Sequence, residues 1–193
     1  SLVESLVDAQ ISIKVIHPGA LDLRKIKETK ISNILGDPVL LTLARLEKRK
    51  GHIFIIQCVK ELLFKFPNLQ YIIAGEGPEE KNLKNLVKKE NLEKNIIFVG
   101  KVNDSQKKYL FKISKIMIMP TIDEMHNQSI EGFGIAYLEA AFFGIPSIAS
   151  NVGGTPEAVI DNFTGKIIDN IDELYSMIFQ LLSNNKQRAE LGM

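Results

Sequence analysis

A single cysteine, Cys58, leaves the 193-residue chain no pair for an internal disulfide and fits a reducing compartment. Charge of one sign is also lacking, because 24 basic and 23 acidic residues give a formal net charge of +1. That balance excludes a bulk electrostatic pull toward nucleic acid or an anionic membrane. Long hydrophobic runs are missing. The most apolar stretch, residues 133–149, is broken by Glu139, Gly144 and Pro146 and is too short to span a bilayer. Residues 1–7 carry Glu4 and no basic segment, so they do not read as a signal peptide, and a cytoplasmic protein is expected. His17, His52 and His126 are scattered, and "DEMH" at residues 123–126 has no second half, so no metal site is expected. Neither an internal repeat nor a low-complexity tract is visible, and the absent initiator methionine suggests a fragment.

What is present is the balance of a globular protein: 45% hydrophobic and 24% charged residues, in a chain long enough for one domain with a full core. Short β-branched runs alternate with segments of helical period. Strands are predicted at residues 13–16, 39–43, 70–74, 96–99, 116–119, 147–149 and 166–168. Helices are predicted near 52–65, 79–89, 105–113, 134–143 and 171–182. Asp104 and Asp169 stand at or near N-caps, and Gly144 is a helix stop ahead of Pro146. Runs such as "QYIIAG" and "IMIMP" are apolar throughout, as strands buried on both faces require. This pattern predicts an α/β domain, a doubly wound parallel sheet of Rossmann-like type, over residues 36–193. Residues 1–35 read as a helix, a strand, the turn "HPGALD" and a short helix. They are either a linker from an upstream domain or an extension packed on the sheet.

Ligands of open α/β sheets sit outside the carboxyl ends of the strands, so the loops there carry the candidate chemistry. After residues 39–43 comes "ARLEKRKG", with Arg45, Lys48, Arg49 and Lys50 ahead of a helix start near Gly51. Cations beside a helix N-terminus form a natural anion site, although a charged loop is usually only solvated surface. After residues 116–119 comes a long loop that reaches Glu131, Gly132, Phe133 and Gly134, and Glu139 follows in the next helix. Eight positions separate the two acids, too far along a helix for a two-carboxylate hydrolase dyad by local geometry. Glu139 sits among apolar neighbours, where a carboxylate needs a partner, and a ligand hydroxyl is one candidate. Capping or surface roles are the plain alternative for both acids. Gly153-Gly154 before Thr155-Pro156 reads as a tight turn or as a pocket lining.

In chain order, "IHPGALD", "LARLEKRKG", "IIAGEGPE", "IIFVGKV", "EGFGIAYLEAAFFGIPSIAS" and "NVGGTPEAVIDNFTGKII" resemble the landmarks of the C-terminal domain of family 4 (group 1) glycosyltransferases. That resemblance implies a GT-B architecture of two Rossmann-like halves and a retaining, metal-independent transfer from a nucleoside-diphosphate sugar, with no cofactor. It implies that Arg45 and Lys50 neutralise the donor diphosphate. Catalytic Glu131 would contact the transferred sugar, and backbone amides of Gly132, Phe133, Gly134 and Ile135 would reach sugar and phosphates. Glu139 would accept from ribose hydroxyls, and Gly100, Lys101 and Val102 would lie beside the base. A saccharide or lipid-linked acceptor, and any membrane contact, would belong to a missing N-terminal half. The motifs depart from the family pattern at His17, Ala20 and Ala44, and the loop over residues 122–130 is longer than in the family's shortest forms.

Other signals have plain readings. "GEG" at residues 75–77 is followed by Pro78, Glu79 and Glu80 and so lacks the rest of a dinucleotide fingerprint. Cys58, Phe111, Phe142 and Phe143 read as core, Lys88 and Lys89 as a solvated helix face. The sequons at Asn127 and Asn162 are coincidental without a secretory signal. Two classes of function stay open: a sugar-transferring enzyme domain, and a Rossmann-like module that binds a nucleotide without transfer.

Overall fold

The computed structural model of the chain describes residues 16–123 and 131–192. The strand and helix expected in residues 1–15, "DEMH" beyond Asp123 and the sequon at Asn127 lie outside the described residues. Six strands form one parallel sheet: β1 Val39–Leu43, β2 Gln70–Ala74, β3 Ile96–Gly100, β4 Ile116–Met119, β5 Ser147–Ser150 and β6 Gly165–Ile168. Their spatial order is β3-β2-β1-β4-β5-β6, the doubly wound arrangement that the alternating pattern predicts. The helices are α1 His52–Leu62, α2 Glu80–Lys89, α3 Asp104–Ile113, α4 Ile135–Ala141, α5 Thr155–Ala158, α6 Leu174–Ser183 and α7 Asn185–Glu190.

Successive strand residues point to opposite faces, so each strand feeds two cores. Leu40, Tyr71, Ile73, Ile116, Ile118, Ile148 and Ile168 pack under α1, α2 and α6. Their neighbours Val39, Leu41, Ile72, Ala74, Met117, Met119 and Ala149 pack under α3 and α4. Polar bonds cross the centre of the sheet. Tyr71 donates its hydroxyl to Thr42 at 2.8 Å, and Thr42 donates to the carbonyl of Ile118 at 2.5 Å, tying β2, β1 and β4 together.

Several boundaries differ from the sequence reading. The caps are Asn103 and Asn170, one residue off the expected aspartates. Each forms a reciprocal box with the residue three positions on, Gln106 and Glu173. An amide side chain serves as well as a carboxylate there, and the aspartate falls into the first turn beside Asn103. The short helix expected before Gly36 is only a 3₁₀ turn, Leu23–Lys25. Tertiary bonds replace a helical ladder beyond it. Thr29 donates to the carbonyl of Ser105, Lys108 donates to the carbonyls of Arg24 and Ile26, and Leu23 is fully buried. The last helix, α7, is short and polar, with no apolar period to announce it. Cys58 is half-buried against the α1 core, and burial pushes its thiol up to about 12.

His52 begins α1 in a buried position, and neither ring nitrogen has a hydrogen-bond partner among the described residues. Burial, with the nearby Lys50 charge, pushes its pKa down from 6.5 to about 4. The unfolded chain therefore takes up a proton between about pH 6.5 and 4 that the folded chain refuses. Stability from this group is intact above that window and falls as pH drops through it, by a total of about 3 kcal/mol. The variant His52→Leu is expected to lose less melting temperature than the parent chain between pH 7 and pH 4.5. Equal losses in both proteins would assign the acid sensitivity elsewhere.

Candidate functional site

The strand order reverses between β1 and β4, so the loops leaving these two strands part in opposite directions and open a crevice. Gly51 shapes the loop after β1. Its φ of 70° and its closeness to Pro120, whose carbonyl oxygen would lie 2.2 Å from an added Cβ, require glycine where the chain turns into α1. A 3₁₀ turn, Lys48–Lys50, precedes it, and Arg49 accepts at its carbonyl from the amide of Ile122 at 2.8 Å. The loop after β1 is thereby fastened to the exit of β4.

This fastening brings together side chains 81 positions apart. Lys50 is buried, and its ammonium donates to Oε2 of the buried Glu131. Arg49 donates to the same oxygen through Nη1 at 2.9 Å and to Glu47 Oε2 through Nε at 2.9 Å. Arg45 holds the other Glu47 oxygen at 3.0 Å. The result is a chain of alternating charge, Arg45–Glu47–Arg49–Glu131–Lys50. Desolvation drives the Lys50 ammonium below the ordinary lysine pKa, and the neighbouring Glu131 charge offsets part of that effect.

A cavity of about 550 Å³ lies at the Lys50–Glu131 end of this chain, lined by these two and by Gly132, Phe133, Gly134 and Ile135, among others. A second, of about 380 Å³, is lined by Lys101, Val102, Lys107 and Glu139, and shares Leu43, Ala44, Ile135 and Ala136 with the first. Together they form a trough along the carboxyl end of the sheet. The two acids are divided between its compartments, Glu131 in one and Glu139 in the other. Glu139 is buried and accepts from Lys107 at 3.0 Å. The two compartments offer a cation beside Glu131 in one and a buried carboxylate, Glu139, in the other.

Most of the expected site residues meet here. Arg45 differs: its side chain is 75% exposed, turned toward Glu47, and it lines neither compartment. Arg49, read only as one more loop cation, is the guanidinium that reaches Glu131. Lys107 was not anticipated at all, because a lysine on α3 carries no local signal of its partner. The segment before β1 also reaches the site, since Pro18 lines the larger cavity. Next to it, the His17 ring lies 5.4 Å from that of Phe133 while its Nδ1 is 3.2 Å from Glu157.

The glycine pair acts from below. Gly154 donates its amide to the carbonyl of Glu131 at 2.9 Å, and an added Cβ would stand 2.0 Å from the carbonyl oxygen of Gly132. A Cβ on Gly132 itself would meet nothing within 4 Å. Gly154→Ala is therefore expected to cost about 1–3 kcal/mol, because backbone must move. Gly132→Ala should stay within about 0.5 kcal/mol of the parent. Thermal melting of both variants checks the contrast, and equal stabilities would mean that the loop over Gly154 is not fixed as described.

Comparison with known proteins follows the same outline. The sequence model for glycosyl transferases group 1 matches residues 24–193. A GDP-mannose-dependent alpha-(1-6)-phosphatidylinositol monomannoside mannosyltransferase of Mycolicibacterium smegmatis is 30% identical over 162 residues, 82% of this chain and 42% of the relative. A monoacylated-substrate counterpart from Corynebacterium glutamicum is 28% identical over 94% of this chain and 48% of its own length. The chain thus spans less than half of these curated relatives. Among solved structures, the C-terminal domain of a group 1 glycosyl transferase from Francisella tularensis superposes with a TM-score of 0.73 at 22% identity, covering 90% of this chain and 93% of that one. The pneumococcal O-GlcNAc transferase in complex with UDP and GlcNAc gives a TM-score of 0.77 at 23% identity, over 98% of this chain and 38% of that one.

Proposed function

The chain belongs to the glycosyl transferases group 1 family, and from that membership we propose that it is the donor-binding half of a retaining, metal-independent glycosyltransferase. The donor is a nucleoside-diphosphate sugar, and the acceptor is a glycan or glycolipid held by a facing domain. The observation that carries this reading is the convergence of buried Lys50 and buried Glu131 on one cavity at the strand-order switch. Lys50 supplies the charge that a departing diphosphate needs, in a desolvated setting where charge acts strongly. Arg45, on a solvent-facing side chain, adds a second cation that can swing onto the phosphates from the rim. These cations take the role that a divalent metal plays in other transferases.

Glu131 is held between two cations, which fixes its carboxylate oxygens where they can accept from sugar hydroxyls. Glu139 and the backbone at Lys101 and Val102 would take the ribose and base. The free Cys58 accords with a reducing, cytoplasmic setting. Two relatives are GDP-mannose-dependent, which makes GDP-mannose the first donor to try.

Calorimetric titration of the chain with GDP, UDP and their sugar conjugates tests the reading. Lys50→Ala is expected to weaken binding by about 1.5–3 kcal/mol, roughly ten- to a hundredfold in Kd. Glu139→Gln should weaken every nucleotide in the panel, because ribose is common to all. Glu131→Gln should bind plain diphosphate at least as tightly as the parent and lose affinity only for the sugar conjugate. Two acid variants that behave alike toward free nucleotide would remove this division of labour.

A further inference from the structure

Lys50 donates to Glu131, yet donor binding asks it to serve a diphosphate. Left to themselves, the carboxylate and the phosphates would compete for one buried ammonium. Arg49 resolves the competition. Its guanidinium is a planar fork with two usable edges, and both are engaged, Nε on Glu47 and Nη1 on Glu131. Its side chain is only 15% exposed, and its carbonyl is pinned by the amide of Ile122. It lines neither compartment, and both engaged edges of its guanidinium are taken up by carboxylates. Lys50, in contrast, lines the larger cavity.

We propose that Arg49 is a positioning residue that keeps Glu131 aimed at the cavity while the donor diphosphate draws Lys50 away. This assignment rests on the donor-site reading above. When Lys50 turns to phosphate, Glu131 retains a charge-assisted partner at 2.9 Å, and Arg49 retains Glu47 on its other edge. A lysine at position 49 would offer one point charge and could not hold both carboxylates in a plane. Without a cation at position 49, an uncompensated buried carboxylate would hold Lys50 back, because a buried charge stripped of its partner is strongly unfavourable.

The test is a double-mutant cycle read by nucleoside diphosphate binding, with GDP and UDP as probes: the parent chain, Arg49→Gln, Glu131→Gln and the double variant, plus Arg49→Lys. Arg49→Gln is expected to raise Kd about tenfold, Arg49→Lys by a smaller factor, and the double variant should bind like Glu131→Gln within about twofold. Loss of the Arg49 effect once Glu131 is neutralised is the result that a merely structural role, or a direct phosphate contact, would not produce. An equal loss in both backgrounds, or no loss in either, overturns the proposal. If Arg49→Gln unfolds, the Arg49→Lys and Glu131→Gln/Arg49→Lys pair gives the same comparison. Failure of the parent chain to bind either diphosphate overturns the donor-site reading itself, and this inference with it.

Discussion

The site depends on one buried contact, the ion pair between Lys50 and Glu131. Buried ion pairs are poor stabilisers, since desolvating two charges offsets most of their mutual attraction, whereas removing one partner strands the other. A hydrophobic pair of the same volume would hold the two loops at least as firmly. What it could not do is present a positive and a negative charge to one cavity. The reversal in strand order supplies the meeting place. Lys50 follows β1 and Glu131 follows β4, adjacent strands whose loops part to opposite sides. Gly51 from one side and Gly154 from the other let backbone approach closely enough to hold that meeting place still.

From this pair outward the charges alternate to the protein surface, ending on exposed Arg45. Such an arrangement can change partners without a large change in net local charge, which a single isolated pair cannot. The second compartment repeats the theme on a smaller scale, with Glu139 held by Lys107. In both places a buried carboxylate is held by a basic side chain from another element. Both are therefore suited to receive hydroxyl donors, and they differ in what lies beside them: two paired cations, Lys50 and Arg49, next to Glu131, strand-end backbone next to Glu139.

The fold was largely legible because its signals are local. Apolar β-branched runs and helical periodicity marked all six described strands and the longer helices to within a few residues. The candidate loops were legible for the same reason, since their place at strand ends follows once the sheet is parallel. What could not be read was which cation each carboxylate takes. Arg45, Arg49 and Lys50 share one loop, and only the turn geometry at Lys48–Lys50 decides that Arg49 points inward while Arg45 faces water. Lys107 lies 32 positions from Glu139, on a helix whose amphipathic pattern gives no hint of the contact. Residues 26–34 were misread because their order comes from bonds to α3, not from a repeat of their own.

The central claim is that Lys50 exchanges Glu131 for phosphate while Arg49 keeps the carboxylate in place. A crystal structure of the chain with a bound nucleoside diphosphate measures this directly. The account predicts the Lys50 ammonium within hydrogen-bond distance of a phosphate oxygen, about 2.7–2.9 Å, with Arg49 still on Glu131. A complex in which Lys50 remains on Glu131 and the diphosphate lies away from both would contradict it.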